Sequence, residues 1–117
     1  MRRGEVWWAN VPMRGSGLKR RPMLIVSDDA FNRNERYPKV MVVHLTSIKR
    51  LGGSFDWEVD LPRGTAGMKR RSTIKCGEVY TLWKEQLRGP AGAVLPSLMR
   101  KVDRALAVAL SLSLSDA

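Results

Sequence analysis

Six short segments with β-strand patterning follow one another along the first 82 residues of this chain, and loops rich in glycine and basic residues separate several of them. Strands of this length leave unprotected edges unless the sheet curls and closes on itself. The pattern therefore predicts a small barrel of antiparallel strands. The predicted strands are Glu5–Val11, Met23–Ser27, Lys39–Ser47, Phe55–Leu61, Ser72–Cys76 and Glu78–Leu82, with the last two bent or bulged at Gly77.

Two helices accompany these strands in the prediction. After the second strand, Ser27 or Asp28 is a candidate N-cap for one or two helical turns over Ala30–Arg33. The chain closes with a helix over Pro96–Leu110, where apolar residues recur at helical spacing. Arg88–Ala93 is predicted to be a connector because it is rich in glycine and proline. The fold class is thus mainly β with helices (α+β), and residues 1–117 form one domain.

Alternation along the strands predicts which side chains share a face. Trp7 and Trp8 must point to opposite faces, so we expect one in the core and the other half exposed as a possible stacking platform. On the third strand, one face carries Val40, Val42, His44 and Thr46. On the fourth strand, the side chains predicted to face the core are Phe55, Trp57, Val59 and Leu61.

The charge balance points to an anionic partner. The formal net charge is +10 over 117 residues, and self-repulsion of that size destabilises a compact chain that stays alone. Nucleic acid is the first candidate and an acidic protein the second. A membrane surface ranks third, because no predicted helix has the basic face of an amphipathic anchor.

Cysteine and histidine are too scarce for several kinds of site. Cys76 is the only cysteine and His44 the only histidine, which excludes an internal disulfide and a zinc cluster. The N-terminus lacks the apolar core of a signal peptide, since Asn10 and Pro12 interrupt it. No stretch is long enough to cross a membrane as a helix. We expect a cytoplasmic protein with no metal or cofactor.

Three loops concentrate the basic residues, and each also contains glycine. If the loops meet at one end of the sheet, they form a cationic groove in which a phosphate backbone supplies most of the affinity. The alternative is a scattered basic surface. The basic residues of the three loops are Arg14, Lys19, Arg20 and Arg21, then Lys49 and Arg50, then Lys69, Arg70 and Arg71.

The chemistry that fits these residues is phosphoryl transfer without a metal. RNA carries its own nucleophile in the 2′-hydroxyl, so a protein need only orient it, move a proton and neutralise charge on the phosphate. Arg21 supplies a guanidinium fork and Thr46 a hydroxyl. His44, two residues before Thr46, is either a structural histidine packed in the barrel or a proton carrier.

Four motifs resemble those of the MazF/PemK family of toxin endoribonucleases. Arg3–Trp7 (RGEVW) is similar to the family's opening strand, and Arg21–Ser27 (RPMLIVS) to its second. Leu45–Ser47 (LTS) resembles its third strand end, and Met99–Leu106 (MRKVDRAL) its closing helix. The match extends over nearly the whole chain.

This resemblance implies a fold and an activity. The fold is an SH3-like barrel with a C-terminal helix, usually a homodimer. The activity is metal-independent cleavage of single-stranded mRNA at short sequences, giving 2′,3′-cyclic phosphate and 5′-hydroxyl ends. The family's catalytic arginine and threonine correspond to Arg21 and Thr46. An antitoxin with an acidic, flexible tail blocks the RNA groove.

We expect the RNA contacts to come from the basic loops and from polar residues beside them. The expected set is Arg14, Ser16, Lys19, Arg20, Ser47, Lys49, Arg50, Lys69, Arg70, Arg71, Lys75 and Glu78.

The chain departs from the family pattern at two places, which leaves the general base open. Gly15–Leu18 carries no acid where many relatives have a glutamate, and Lys75–Gly77 lacks the aspartate of some PemK-like members. Arginine is a poor base, so Arg21 is first an electrostatic clamp. Two alternative functions remain: a non-catalytic RNA-binding barrel, and a protein-targeting toxin that resembles gyrase poisons and acts through its closing helix.

Overall fold

One antiparallel sheet and a C-terminal helix form the body of the protein. A computed structural model describes residues 1–15, 17–47 and 55–114. The strands described are β1 (Glu5–Met13), β2 (Gly17–Ile25), β3 (Lys39–Ser47), β4 (Glu58–Leu61), β5 (Ser72–Trp83) and β6 (Leu87–Ala93). The helices are α1 (Asp29–Asn32) and α2 (Pro96–Leu110), with a 3-10 turn at Lys84–Gln86.

The strand order across the sheet is β4-β5-β3-β2-β1-β6, and each neighbouring pair is antiparallel. The predicted class, mainly β with a short helix after the second strand and a closing helix, is confirmed. β5 lies between β3 and β4, so the sheet is not a simple meander. Of the helices that the structure describes, neither is long and apolar enough to cross a bilayer.

β2 is longer than the sequence predicts. It begins at Gly17, so Lys19, Arg20 and Arg21 lie on a strand rather than in a loop. They are in register with the end of β1, which extends to Met13 in a hairpin. Pro22 is tolerated inside this strand because the ladder with β3 starts only at the next residue.

The prediction of a connector at Arg88–Ala93 is wrong, because Leu87–Ala93 forms the edge strand β6. This strand pairs with β1 through Glu5–Ala93 and Trp8–Arg88, with a register shift between. Proline and glycine lower local strand propensity, but an edge strand needs ladder bonds on one side only.

A bulge interrupts β5, as predicted at Gly77. Val43 pairs with Val79, while the next residue, His44, pairs with Lys75. The intervening residues Cys76–Glu78 therefore have no partner on β3. The consequence is that both Lys75 and Glu78 lie beside His44.

The prediction that Phe55 and Trp57 face the core is also wrong. β4 begins at Glu58, and both aromatic side chains are exposed. Their rings stack on each other with centroids 4.6 Å apart. Trp57 lies over the β5 bulge, where a side chain at Gly77 would meet its ring at 2.7 Å. Val59 and Leu61 are buried as predicted.

The two faces of the sheet bury separate apolar clusters. On the helix side, Val43 and Leu45 pack with Met99, Val102 and other residues under α2. On the far side, the buried residues are Ala9, Met23, Ile25, Val40, Val42 and Leu87. Alternation along β3 thus divides its residues as predicted. Trp8 packs against the helix-side cluster and Trp7 against the far-side cluster.

Arg3 joins the first strand to both helices. Its backbone N–H donates to Asp29 Oδ1 at 2.7 Å, and its Nε donates to the Val26 carbonyl at 2.9 Å. Its guanidinium also pairs with Asp103 of α2 at 2.6 Å. Asp28 caps α1 by accepting a hydrogen bond from the Ala30 N–H at 2.8 Å, which confirms one of the two predicted caps.

The loop between β4 and β5 crosses the opposite edge of the sheet at very short range. A side chain at Gly67 would meet the Ala91 carbonyl carbon at 2.7 Å, and one at Gly92 would meet the Gly67 nitrogen at 2.6 Å. Gly67 also has a φ of 78°, a left-handed conformation that favours glycine. This backbone crossing draws β6 towards the β4–β5 end and so curls the sheet.

Replacing Gly67 with alanine should destabilise the fold more than the same change at Gly64. Both residues have a left-handed φ, 78° and 79°, so both substitutions carry a strain of about 1–2 kcal/mol. Of the two, only Gly67 has no space for the added methyl group, which would clash with the Ala91 backbone. This clash adds a destabilisation of roughly 1–3 kcal/mol. Urea unfolding of the two variants measures the difference. Equal losses would mean that the crossing relaxes freely.

Candidate active site

A cavity of about 470 Å³ opens beside the middle of β2 and the end of β3. Four of the side chains around it are basic, so the cavity favours a negatively charged occupant. One aromatic residue and two serines also line it. The residues that line it are Trp8, Arg20, Arg21, Pro22, Leu45, Ser47, Gly67, Met68, Lys69, Arg70 and Ser72.

Strand topology explains why these residues meet. β2 is antiparallel to β3, so the β1–β2 hairpin lies at the end of the sheet where β3 finishes. Ser47 pairs with Ser72, which brings the loop before β5 to the same end. The first and third basic loops therefore converge, while the second lies outside the described residues.

The structure brings together only part of the expected RNA-contacting set. Arg20, Ser47, Lys69 and Arg70 of that set line the cavity, together with Arg21, the expected catalytic arginine. Of the other expected residues, those that the structure describes do not line it. Arg14 and Lys19 are exposed elsewhere, Arg71 pairs with Asp60, Lys75 pairs with Glu58 and Glu78, and Ser16, Lys49 and Arg50 fall outside the described residues.

Arg21 lies at the boundary between the cavity and the far side of the sheet. Alternation along β2 puts it on the face that carries Met23, while some of its atoms line the cavity. Its Nε is buried and has no hydrogen-bond partner among the described residues. The last pair of the β2–β3 ladder is Met23 with His44. Two residues beyond this pair, towards the start of β2 and the end of β3, are Arg21 and Thr46.

Thr46 is half-buried and does not line the cavity. It pairs with Thr73 of β5 and shares its strand face with His44. The two residues that the sequence predicts as catalytic are thus on the same face of adjacent strands. Arg21 also lines the cavity, and Thr46 does not.

His44 occupies a polar pocket on the far side and is only 7% exposed. Its Nδ1 lies 3.7 Å from Glu78 Oε1, and Lys75 Nζ lies 3.6 Å from Glu78 Oε2. The Tyr80 ring meets the imidazole edge-on with centroids 6.3 Å apart. Neither ring nitrogen of His44 has a hydrogen-bond partner in the part of the chain that the structure describes.

The pKa of His44 is lowered from its ordinary value of 6.5. Burial is the main cause, because it disfavours the charged imidazolium. The Glu78 carboxylate opposes this shift, while the charges of Arg21 and Lys75 add to it. The neutral imidazole is therefore favoured over the imidazolium in the folded protein. In contrast, burial raises the pKa of the Cys76 thiol to about 12, so this cysteine is an unreactive core residue.

Trp8 is the main site residue that sequence reasoning left undecided. It is half-buried, and the Arg20 guanidinium carbon lies 4.2 Å from its ring centroid. The adjacent tryptophans indicated that one ring would be available, but not which one. That choice depends on the cavity, which Trp8 lines and Trp7 does not.

Carboxylate, histidine and cysteine side chains do not gather into a metal site in residues 1–15, 17–47 and 55–114. No group of three or more of them is close enough to hold an ion. The acids of the β4 region form ion pairs instead, Asp60 with Arg71 and Glu58 with Lys75.

The family model for PemK-like, MazF-like toxins of type II toxin–antitoxin systems matches residues 2–110. The chain belongs to this family. Among curated proteins, this MazF-like chain is 34% identical over 112 residues to the endoribonuclease MazF2 of Mycobacterium bovis, covering 94% of this chain and 96% of the relative. It has the same identity and coverage with the endoribonuclease MazF6 of Mycobacterium tuberculosis.

Solved structures share the fold of this MazF-like chain. A mycobacterial endoribonuclease in complex with its cognate antitoxin superposes with a TM-score of 0.76 at 30% identity, covering 98% of this chain and 99% of the other. A MazE–MazF structure from Deinococcus radiodurans gives a TM-score of 0.72 at 24% identity, with 97% of each chain covered, and supports the fold alone.

Acidification should destabilise this protein through His44. Because the folded-state pKa is depressed, the unfolded chain binds more protons, and stability rises with pH through this range. The stability that depends on a neutral His44 is fully present above pH 6.5, the ordinary pKa of histidine, and is lost as the pH falls towards the folded-state pKa. Unfolding free energies measured in urea between about pH 5 and 7.5 should show this slope.

His44→Gln is the control for this slope, since the chain has no other histidine. The variant should be less pH-dependent than the wild type over the same range. Glu78→Gln should lower the pKa of His44 further, which NMR titration of the imidazole measures directly. A His44 pKa at or above 6.5 in the folded protein would contradict the burial argument.

Proposed function

We propose that this MazF-like chain is a toxin endoribonuclease that cleaves single-stranded mRNA at short specific sequences. The observation that carries the proposal is the position of Arg21, at the edge of a cationic cavity and on the same face of the sheet as Thr46 of the neighbouring strand. The endoribonuclease names of relatives that cover 94% of this chain support the reaction class.

The reaction that suits these groups needs no metal ion. The 2′-oxygen of the RNA attacks the adjacent phosphorus, the bond from phosphorus to O5′ breaks, and the products carry a 2′,3′-cyclic phosphate and a 5′-hydroxyl. Arg21 stabilises the negative charge that grows on the phosphate oxygens, and its unpartnered Nε leaves a donor free for one of them. Thr46 donates a hydroxyl hydrogen bond to the same group.

The cavity supplies the remaining affinity for the polyanion. Arg20, Lys69 and Arg70 bind phosphates, and Ser47 contributes a hydroxyl. Arg71 and Lys75 contribute less, because binding RNA would require them to leave carboxylate partners. Arg14, Lys19 and Glu78 remain expected RNA contacts outside the cavity wall. Ser16, Lys49 and Arg50 also remain expected contacts, and they lie outside the described residues.

An acidic antitoxin and a second copy of the chain are the proposed protein partners. The antitoxin in the structure of a mycobacterial relative supports the first. An antitoxin with the acidic tail that the family resemblance implies would compete with RNA for the same cations, since both are polyanions. The homodimer rests on resemblance to the family. We expect the protein to act in the cytoplasm, where mRNA is available.

Cleavage of a long mixed RNA in EDTA tests the proposal. Arg21→Ala should lower the cleavage rate about 10²–10³-fold, because one charge-stabilising donor group is lost. Thr46→Val keeps the shape of the side chain and should also impair cleavage. Arg63→Ala is the matched control, since it removes one exposed positive charge outside the cavity wall. Mapping of the 5′ ends gives the sequence preference.

Each alternative function predicts a different result, either in this experiment or in an assay of RNA binding or toxicity. Salt-sensitive RNA binding without any cleavage would favour a non-catalytic RNA-binding barrel. Full toxicity after removal of the charges at Lys69, Arg70 and Arg71 would favour a protein-targeting toxin. Cleavage that Arg21→Ala leaves unchanged would remove Arg21 from the site.

His44→Gln should leave cleavage within about tenfold of the wild-type rate, because we assign His44 a packing role behind the site. The side chain is almost fully buried, which keeps it from an RNA hydroxyl. Single-turnover rates with saturating protein measure the effect. A hundredfold loss, with fold and RNA affinity kept, would instead make His44 the proton carrier.

A further inference from the structure

We propose that Trp8 is a stacking platform for one nucleobase of the bound RNA and that Arg20 is its gate. The Arg20 guanidinium covers the indole ring, with its central carbon 4.2 Å from the ring centroid. When RNA binds, the base replaces the guanidinium on the ring, and Arg20 turns to a phosphate. This inference rests on the proposed binding of RNA and names the subsite for one nucleotide.

The position of Arg20 between two cavities carries the inference. Trp8 and Arg20 line the large cavity of about 470 Å³ and also a small one of about 60 Å³ beside it. Asn10, Gln86 and Arg88 line the small cavity. Movement of Arg20 away from the ring therefore joins both spaces into one groove that runs along the indole.

Exchange of the guanidinium for a base is physically favourable. A base and a guanidinium are both flat and stack on indole at similar distances, so they compete for one ring face. Arg20 is exposed, and an exposed cation–π pair is weaker than the stacking of a base on an aromatic ring. The released guanidinium then gains a charge-assisted hydrogen bond to phosphate.

The wall of the joined groove suits a nucleotide better than an acidic peptide. An acidic peptide would use the cations of Arg20, Lys69 and Arg70 but would leave the indole face without a flat partner. A nucleotide uses both, since it combines a planar base with a phosphate. The amides of Asn10 and Gln86 are the groups at the edge of this groove that can read a base by hydrogen bonds.

Binding of 2′-O-methyl RNA oligonucleotides tests the inference separately from cleavage, because these lack the nucleophilic hydroxyl. One abasic position is moved along the oligonucleotide, and the affinity of each is measured for the wild type and for Trp8→Ala. We expect one position where loss of the base weakens wild-type binding roughly 5- to 100-fold and has little effect in Trp8→Ala. Trp8→Phe should keep most of this effect.

Trp83→Ala is the matched control. Trp83 is an exposed tryptophan with its own cation, Lys39 Nζ at 4.7 Å from the ring centroid, and it lines neither cavity. This variant should retain the position-specific loss. Inorganic polyphosphate is the base-free probe, and its affinity should be the same for the wild type and Trp8→Ala but lower for Arg20→Ala.

An abasic scan with the same profile in wild type and Trp8→Ala would overturn the inference. Equal losses of polyphosphate and RNA affinity in Trp8→Ala would overturn it too. So would a Trp8→Ala variant that loses affinity for an acidic peptide but keeps its affinity for RNA. If Trp8→Ala does not fold, the wild type labelled with 5-fluorotryptophan gives the readout. The Trp8 signal should then shift differently with the intact oligonucleotide and with the oligonucleotide that is abasic at the sensitive position, and identical shifts at every abasic position would exclude stacking.

Failure of the proposed nuclease activity is distinguishable from failure of this inference. Position-specific stacking on Trp8, without cleavage of the matching unmodified RNA, would retain the platform and remove the enzyme. Cleavage that does not depend on the base over Trp8 would do the reverse.

Discussion

The contact between two stretches of backbone, at Gly67 on the β4–β5 loop and at Gly92 on β6, shapes the rest of the molecule. β4, which leads into this loop, and β6 are the two edge strands of the sheet, so the sheet must curl for the loop to touch β6. The same loop carries Gly67, Met68, Lys69 and Arg70 into one wall of the cavity. A side chain at either glycine would separate the two backbones and move that wall away from β2.

Charge is distributed unevenly over this frame, and the distribution fits a polyanion. Away from the cavity, Arg3, Arg71 and Lys75 pair with carboxylates. The cavity instead gathers cations from β2 and from the β4–β5 loop. Like charges held together cost free energy unless an anion neutralises them. Four basic side chains of this +10 chain therefore meet where a phosphate chain can neutralise them.

The β5 bulge produces a second polar arrangement behind the cavity. It puts Lys75 and Glu78 on either side of His44, whose ring nitrogens are buried and unpartnered among the described residues. Burial keeps the imidazole neutral, while Glu78 partly offsets that effect. Arg21, close enough to influence the pKa of His44, couples this pocket to the cationic cavity.

Local patterning was sufficient to predict the elements whose formation depends on nearby residues. The bounds of β3 and α2 agree with the prediction because strand alternation and helical spacing are properties of adjacent residues. The bulge near Gly77 and the cap at Asp28 are also local, and the RP and LTS motifs marked Arg21 and Thr46 as candidates. Sequence could not identify β6 or the exposure of Phe55 and Trp57, since both depend on which element lies alongside.

The sequence by itself determined the class of fold, the family, the positive charge and the residue types available for RNA chemistry. Only the tertiary structure decided which basic residues face one cavity, which of two adjacent tryptophans lines it, and that His44 is buried between a lysine and a glutamate. The physical reason is that these properties depend on strand order and loop crossing, which join residues far apart in the chain.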